Sequence, residues 1–160
     1  MATLLAPTGI RSFAKARWWL ILSPLGLGDF ARLAGLPSVT IPPFVAVVDD
    51  DEALCEALVD LMRSIGYRAE PFGSAEKFLM SANRRGFNCI IADVHMPGMT
   101  GLELLGKLHE QAITTPVILI TALPDKHLDD EAVSTGAFCL LRKPFKTRSL
   151  LDHLERSFRK

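Results

Sequence analysis

The sequence FVAVVDDD, residues 44–51, decides the fold: five apolar residues lead directly into three aspartates. A run that is apolar at every position predicts a strand covered on both faces, as in the centre of a parallel sheet. Neighbouring carboxylates at the end of a strand repel one another unless a positive charge lies among them. A hard divalent ion such as Mg²⁺ fits, because it binds a few carboxylates together with water and phosphate oxygens. The segment therefore predicts a central strand that ends in a cation-binding site.

Three further apolar runs end in polar residues in the same way. They are CIIA before Asp93, VILI before Thr121, and FCLL before Arg142 and Lys143. Open parallel sheets build their sites at the carboxyl ends of the strands. We therefore expect these side chains to meet the aspartates at one end of the sheet.

Helical patterns alternate with the strands. The predicted helices cover residues 54–65, 75–82, 101–110, 125–135 and 147–158. Gly66 ends the first helix and Ser74 can cap the second. A short strand over 67–72 carries two charged residues and is assigned to an edge of the sheet. Strands alternating with helices imply right-handed βαβ units, so the predicted fold class is α/β, with a doubly wound, five-stranded parallel sheet.

Composition limits the class of protein. The 160 residues are 49% hydrophobic and carry no formal net charge, which suits one globular core. No basic face or arginine-rich helix is present, so direct nucleic-acid binding is not expected. The three cysteines are unclustered and predict reduced thiols in a cytoplasmic protein. The four histidines lack metal-ligand spacing.

Residues 1–42 differ from the rest and are predicted to be a poorly ordered leader, with the folded domain over 43–160. The longest uncharged run of the leader, residues 18–28, is shorter than the about 20 residues that span a membrane. No membrane span is therefore expected. A signal segment, a membrane-surface role and a docking patch around Trp18 and Trp19 stay open as alternatives.

Four elements resemble the response-regulator receiver domain of bacterial two-component signalling, of the chemotaxis and nitrogen-fixation regulator type. They are VDDDE at 48–52, ADVHMPGMTG at 92–101, ITA at 120–122 and RKPF at 142–145. Their order and spacing match the family, and the Asp-x-x-Met-Pro-x-Met-x-Gly element is the most specific. The resemblance implies a flavodoxin-like receiver fold with strand order 2-1-3-4-5.

The resemblance also implies a role for each polar residue at a strand end. Asp93 is the phosphoacceptor, and Thr121 and Lys143 contact the phosphoryl oxygens. The implied ligands of Mg²⁺ are Asp49, Asp50, Asp93 and the backbone carbonyl of His95. Asp51 is instead expected to cap the first helix. Pro144 implies a cis peptide after the lysine.

One position departs from the family pattern. Receivers usually carry Tyr or Phe three residues before the lysine, and here that residue is Leu140. Phe138 lies two residues earlier and is predicted on the same face of the strand. We expect the readout of phosphorylation to depend on the backbone and Thr121 rather than on an aromatic ring.

The implied function is that of a phosphoacceptor, loaded on Asp93 by a sensor histidine kinase or a histidine phosphotransfer protein. Because no output domain is recognised, the chain is expected to be a single-domain switch or a phosphorelay intermediate. It is not expected to be an enzyme beyond its own phosphorylation and slow dephosphorylation. An unidentified downstream protein and a phosphorylation-dependent dimer complete the expected partners.

Two other functions share parts of this pattern. A haloacid-dehalogenase-type Mg²⁺-dependent phosphatase would use the Asp-x-Asp of residues 49–51, but it needs a further acidic pair after the lysine, where only Asp152 and Glu155 follow on a helix. A flavodoxin-like electron carrier would need a phosphate loop rich in hydroxyls and glycines after the first strand. The acidic triplet there would repel the flavin phosphate.

Overall fold

The computed structural model of the chain describes residues 41–125 and 127–159, so nearly all of the predicted leader lies outside the described residues. Five parallel strands form one sheet in the order β2-β1-β3-β4-β5. The strands are β1 Phe44–Val48, β2 Arg68–Phe72, β3 Cys89–Asp93, β4 Val117–Thr121 and β5 Cys139–Arg142. The predicted fold class, strand order and edge position of β2 are confirmed.

Five helices alternate with the strands in the described residues. They are α1 Glu52–Ser64, α2 Ala75–Met80, α3 Gly101–Glu110, α4 His127–Thr135 and α5 Thr147–Ser157. The prediction that α2 extends to Ala82 is wrong. Ser81 leaves the helix with an extended backbone, and its hydroxyl accepts the N–H of Asn83 at 3.2 Å. This local hydrogen bond offers the backbone an alternative to another helical turn.

The sheet separates two apolar layers. Ala46 and Val48 of β1 point into the layer covered by α2, α3 and α4, whereas Val45 and Val47 point into the layer of α1 and α5. All four side chains are fully buried. Two-sided burial explains why the central strands are apolar at every position.

The three cysteines are free thiols on the α1–α5 side of the sheet. Burial raises the pKa of Cys89 to about 11 and that of Cys139 to about 12, which keeps both thiols protonated and unreactive near neutral pH. The described residues include no helix with the length and apolar character that a membrane crossing requires.

Asp51 caps α1 as expected, because its carboxylate accepts the N–H of Leu54 at 3.1 Å. Replacing it by alanine leaves that N–H without its side-chain acceptor. Asp51→Ala should therefore lower the free energy of unfolding by about 1 kcal/mol, measured by urea denaturation. Glu56→Ala, which removes an equal charge from the exposed middle of α1, is the matched control. Equal stability losses in the two variants would contradict a capping role.

Candidate functional site

The carboxyl ends of β1, β3 and β5 bring two carboxylates and one ammonium into contact. The Lys143 Nζ atom lies 2.6 Å from Asp93 Oδ1 and 3.0 Å from Asp49 Oδ2. Asp49 and Asp93 are buried, and the lysine side chain is 24% exposed. The sheet creates this contact between residues far apart in the chain, since Lys143 directly follows β5 and donates its backbone N–H to Thr121 O.

Burial and the ionic contact together shift the pKa of Asp49 and of Lys143. Burial raises the pKa of Asp49, although the N–H of Asp51 and the Lys143 ammonium both act in the opposite direction. For Lys143, burial alone would lower the pKa, but the hydrogen bonds to Asp93 and Asp49 outweigh it and the pKa is raised. The ammonium therefore stays charged between two buried carboxylates. The formal charges of two carboxylates and one ammonium sum to −1.

A pocket of about 350 Å³ opens above these groups. Its lining consists of Asp49, Asp50, Asp51, Asp93, His95, Ala122, Leu123 and Lys143. Asp50 is exposed, so it adds a solvated carboxylate to the buried pair. Within residues 41–125 and 127–159, no three acidic, histidine or cysteine side chains are already assembled as a metal site. The oxygen donors nevertheless suit Mg²⁺, which uses few protein carboxylates and retains several waters.

The loop after Asp93 is held tightly in place. The second carboxylate oxygen of Asp93 accepts the N–H of His95 at 2.6 Å. A Cβ at Gly101 would overlap the carbonyl oxygen of Asp93, which explains the glycine at the start of α3. Glu76 of α2 accepts the N–H of Met99 at 2.8 Å. Sequence reasoning did not assign this role to Glu76, since the contact joins residues of two separate βα units.

Thr121 is fully buried at the end of β4, beside the pocket but not among its lining residues. Its hydroxyl oxygen accepts the N–H of Leu123 at 3.1 Å and lies 3.4 Å from His95 Nδ1. The hydroxyl therefore interacts with its own loop and with a neighbouring histidine ring. Sequence reasoning used only the backbone of His95. The position of His95, two residues after Asp93, was the sequence signal that could have suggested the contact between its side chain and Thr121.

The prediction that Phe138 and Leu140 lie on the same face of the strand is wrong. Leu140 packs against the layer of α2, α3 and α4, whereas Phe138 packs against the opposite layer together with Cys139. Phe138 precedes the first residue of β5, so the alternation of side chains along a strand does not determine its direction. Phe138 consequently does not stand in for an aromatic residue at position 140. The Lys143–Pro144 peptide is cis, as expected.

The acidic residues that the phosphatase alternative requires lie elsewhere. Asp152 and Glu155 are exposed on α5 and are not among the lining residues of the pocket. The loop after β1 carries the acidic triplet and not the glycines and hydroxyls of a flavin-phosphate loop. Neither alternative accounts for the contact between Lys143 and Asp93.

Sequence comparisons agree with this geometry. Residues 45–155 match the family model described as the response regulator receiver domain. Response regulator protein TodT of Pseudomonas putida is 40% identical over 107 residues, which are 67% of this chain and 47% of TodT. Transcriptional regulatory protein FixJ of Bradyrhizobium diazoefficiens is 34% identical over 121 residues, 76% of this chain and 59% of FixJ. The chain spans about half the length of the curated relatives it matches.

Solved structures lead to the same family. The crystal structure of FixJ-N superimposes with a TM-score of 0.68 at 30% identity, covering 75% of this chain and 96% of that one. The BeF3-activated DrrB receiver domain gives a TM-score of 0.66 at 28% identity, and the match covers 75% of this chain and 100% of that domain. The chain therefore belongs to the response-regulator receiver domain family of two-component signalling.

Proposed function

We propose that Asp93 is the phosphoacceptor and takes its phosphoryl group from a phosphohistidine of a sensor kinase or a phosphotransfer protein. In this transfer a carboxylate oxygen of Asp93 forms a bond to phosphorus as the nitrogen–phosphorus bond breaks. The histidine nitrogen keeps the electron pair and takes up a proton. The product is an acyl phosphate on Asp93.

One observation carries the proposal: the Lys143 ammonium contacts both buried carboxylates at the floor of an open pocket. A carboxylate nucleophile and an anionic phosphoryl group repel each other, so positive charge has to be in place before they meet. Lys143 supplies one such charge as a compact ammonium. Ala122, exposed on the pocket lining, leaves room for the phosphoryl oxygens.

Receiver domains are generally Mg²⁺-dependent, and the residues proposed to hold the ion here are Asp49, Asp50, Asp93 and the carbonyl of His95. When bound, the ion supplies charge neutralisation to the phosphoryl oxygens. Thr121 is proposed to donate its hydroxyl to those oxygens after giving up its present contacts. The resulting change in the β4–α4 loop would be the signal that a downstream protein reads.

A labelling experiment tests the proposal. The chain is incubated with acetyl phosphate with and without Mg²⁺, and its intact mass is followed. A phosphoryl adduct should form only with Mg²⁺, and hydroxylamine should remove it, since hydroxylamine cleaves acyl phosphates. An adduct that forms equally well without the ion, or that resists hydroxylamine, would contradict the proposed chemistry.

Adjacent aspartates provide a matched pair for the metal. Asp50→Ala should weaken Mg²⁺ binding at least about tenfold, because a carboxylate ligand is lost. Asp51→Ala should change Mg²⁺ affinity far less, because that carboxylate caps α1. NMR titration with Mg²⁺ measures both affinities. Equal affinities in the two variants would mean that the wrong aspartates have been assigned to the metal.

A further inference from the structure

One arginine joins β5 to the loop that follows β4. Nη1 of Arg142 donates to the carbonyl of Leu123 at 2.7 Å, and Nη2 donates to the carbonyl of Asp125 at 2.9 Å and to the Asp129 carboxylate at 2.7 Å. All three acceptors lie in the β4–α4 loop or the first turn of α4. We call these three hydrogen bonds the Arg142 tether. A planar guanidinium can hold several acceptors in fixed directions, which an ammonium cannot do.

The tether connects directly to the candidate site. Leu123 donates its N–H to the Thr121 hydroxyl and accepts from Arg142 through its carbonyl. Leu123 is 49% exposed, so burial contributes little to fixing its position. Hydrogen bonds on both sides of this residue hold it instead. Arg142 also immediately precedes Lys143, which contacts Asp93.

We propose that Arg142 is a positioning residue that holds the β4–α4 loop in the resting arrangement, with Thr121 bonded to Leu123. The inference rests on the proposed function, because it concerns how readily Thr121 turns toward a phosphoryl group on Asp93. To do so, the hydroxyl has to release the N–H of Leu123, and any accompanying shift of Leu123 disturbs the tether. Contacts made in only one of two arrangements set the population of that arrangement. The tether therefore opposes activation.

The affinity for beryllofluoride, a phosphoryl mimic, measured in the presence of Mg²⁺, reports how strongly the tether opposes activation. Arg142→Met should bind it about fivefold more tightly than the unmodified chain, a factor that corresponds to about one net hydrogen bond. Asp129→Ala removes one acceptor of three and should shift the affinity in the same direction by less. Combining the two changes should add little, because both act through one tether. Arg148→Met, at an exposed arginine of α5, is the charge-matched control and should leave the affinity unchanged.

Amide hydrogen exchange at Leu123, without any phosphoryl mimic, gives a second readout. The exchange should be severalfold faster in Arg142→Met, and Arg142→Lys, which retains the charge and one donor group, should fall between it and the unmodified chain. Two results would overturn the proposed role of Arg142. One is unchanged exchange at Leu123 in Arg142→Met, and the other is an affinity of this variant for beryllofluoride that is equal to or weaker than that of the unmodified chain. If Arg142→Met does not fold, Asp129→Ala and Arg142→Lys decide by the same two measurements. Failure of the unmodified chain to bind beryllofluoride would instead overturn the proposed function. Exchange at Leu123 would still test whether Arg142 holds the loop in its resting arrangement.

Discussion

Asp93→Asn is expected to reduce phosphorylation by acetyl phosphate to background. The asparagine side chain has nearly the volume of aspartate, and its one oxygen can still accept a hydrogen bond from Lys143 or from the N–H of His95. The site should therefore keep its shape. A neutral amide, however, lacks the anionic oxygen that forms the bond to phosphorus. Intact mass spectrometry with and without hydroxylamine measures the loss.

The control for this variant is Asp51→Asn. It removes a carboxylate from the same pocket but keeps a good N-cap residue on α1, so labelling should continue at close to the original rate. Far-ultraviolet circular dichroism should confirm that both variants are folded. Undiminished labelling of Asp93→Asn at another residue would show that the phosphoacceptor has been assigned incorrectly.

Lys143→Met is expected to lower the free energy of unfolding at about pH 7 by about 2 kcal/mol, because it leaves two buried carboxylates without their cation. Removing one partner of a fully buried pair costs about 3–5 kcal/mol, and the partial exposure of Lys143 reduces that figure. Mg²⁺ should stabilise the variant more than it stabilises the unmodified chain, since a bound cation takes over the role of the ammonium.

The loss should depend on pH in a defined direction. Burial already raises the pKa of Asp49, and Lys143 opposes that rise, so the variant should carry Asp49 with a still higher pKa in the folded state. Between the ordinary carboxyl pKa and this raised value, the folded state then binds more protons than the unfolded state. Stability accordingly falls as pH rises through that window. The deficit should be largest near neutral pH and smallest in acid.

Urea denaturation at about pH 4 and about pH 7, with and without Mg²⁺, measures the deficit. Lys146→Met is the matched control, because Lys146 is exposed and makes no side-chain cap bond to α5. A deficit that is the same at both pH values would show that the paired carboxylates are not its source. The same conclusion would follow if Mg²⁺ stabilised the variant and the control equally.

Much of the fold and of the candidate site could be predicted from local sequence patterns alone. The central strands are apolar at every position because helices cover both of their faces, and that property is visible in the residues themselves. The polar residues at the carboxyl ends of β1, β3 and β5 predicted one shared site, since the ends of parallel strands meet at the same end of a sheet. The capping role of Asp51 could also be predicted, because a cap involves only neighbours along the chain. Strand order came from the family resemblance and was confirmed.

Tertiary structure alone decided the contacts between distant parts of the chain. The ammonium of Lys143 lies between Asp49 and Asp93 because the sheet order sets the spacing of β1, β3 and β5. Phe138 packs on the face opposite to the predicted one, because it lies one residue before β5, where side chains need not alternate. The hydrogen-bond acceptors of Arg142 could not be predicted from the sequence. Two of them are backbone carbonyls, and every residue has a backbone carbonyl. Their directions depend on the conformation of residues 122–125, which follow β4.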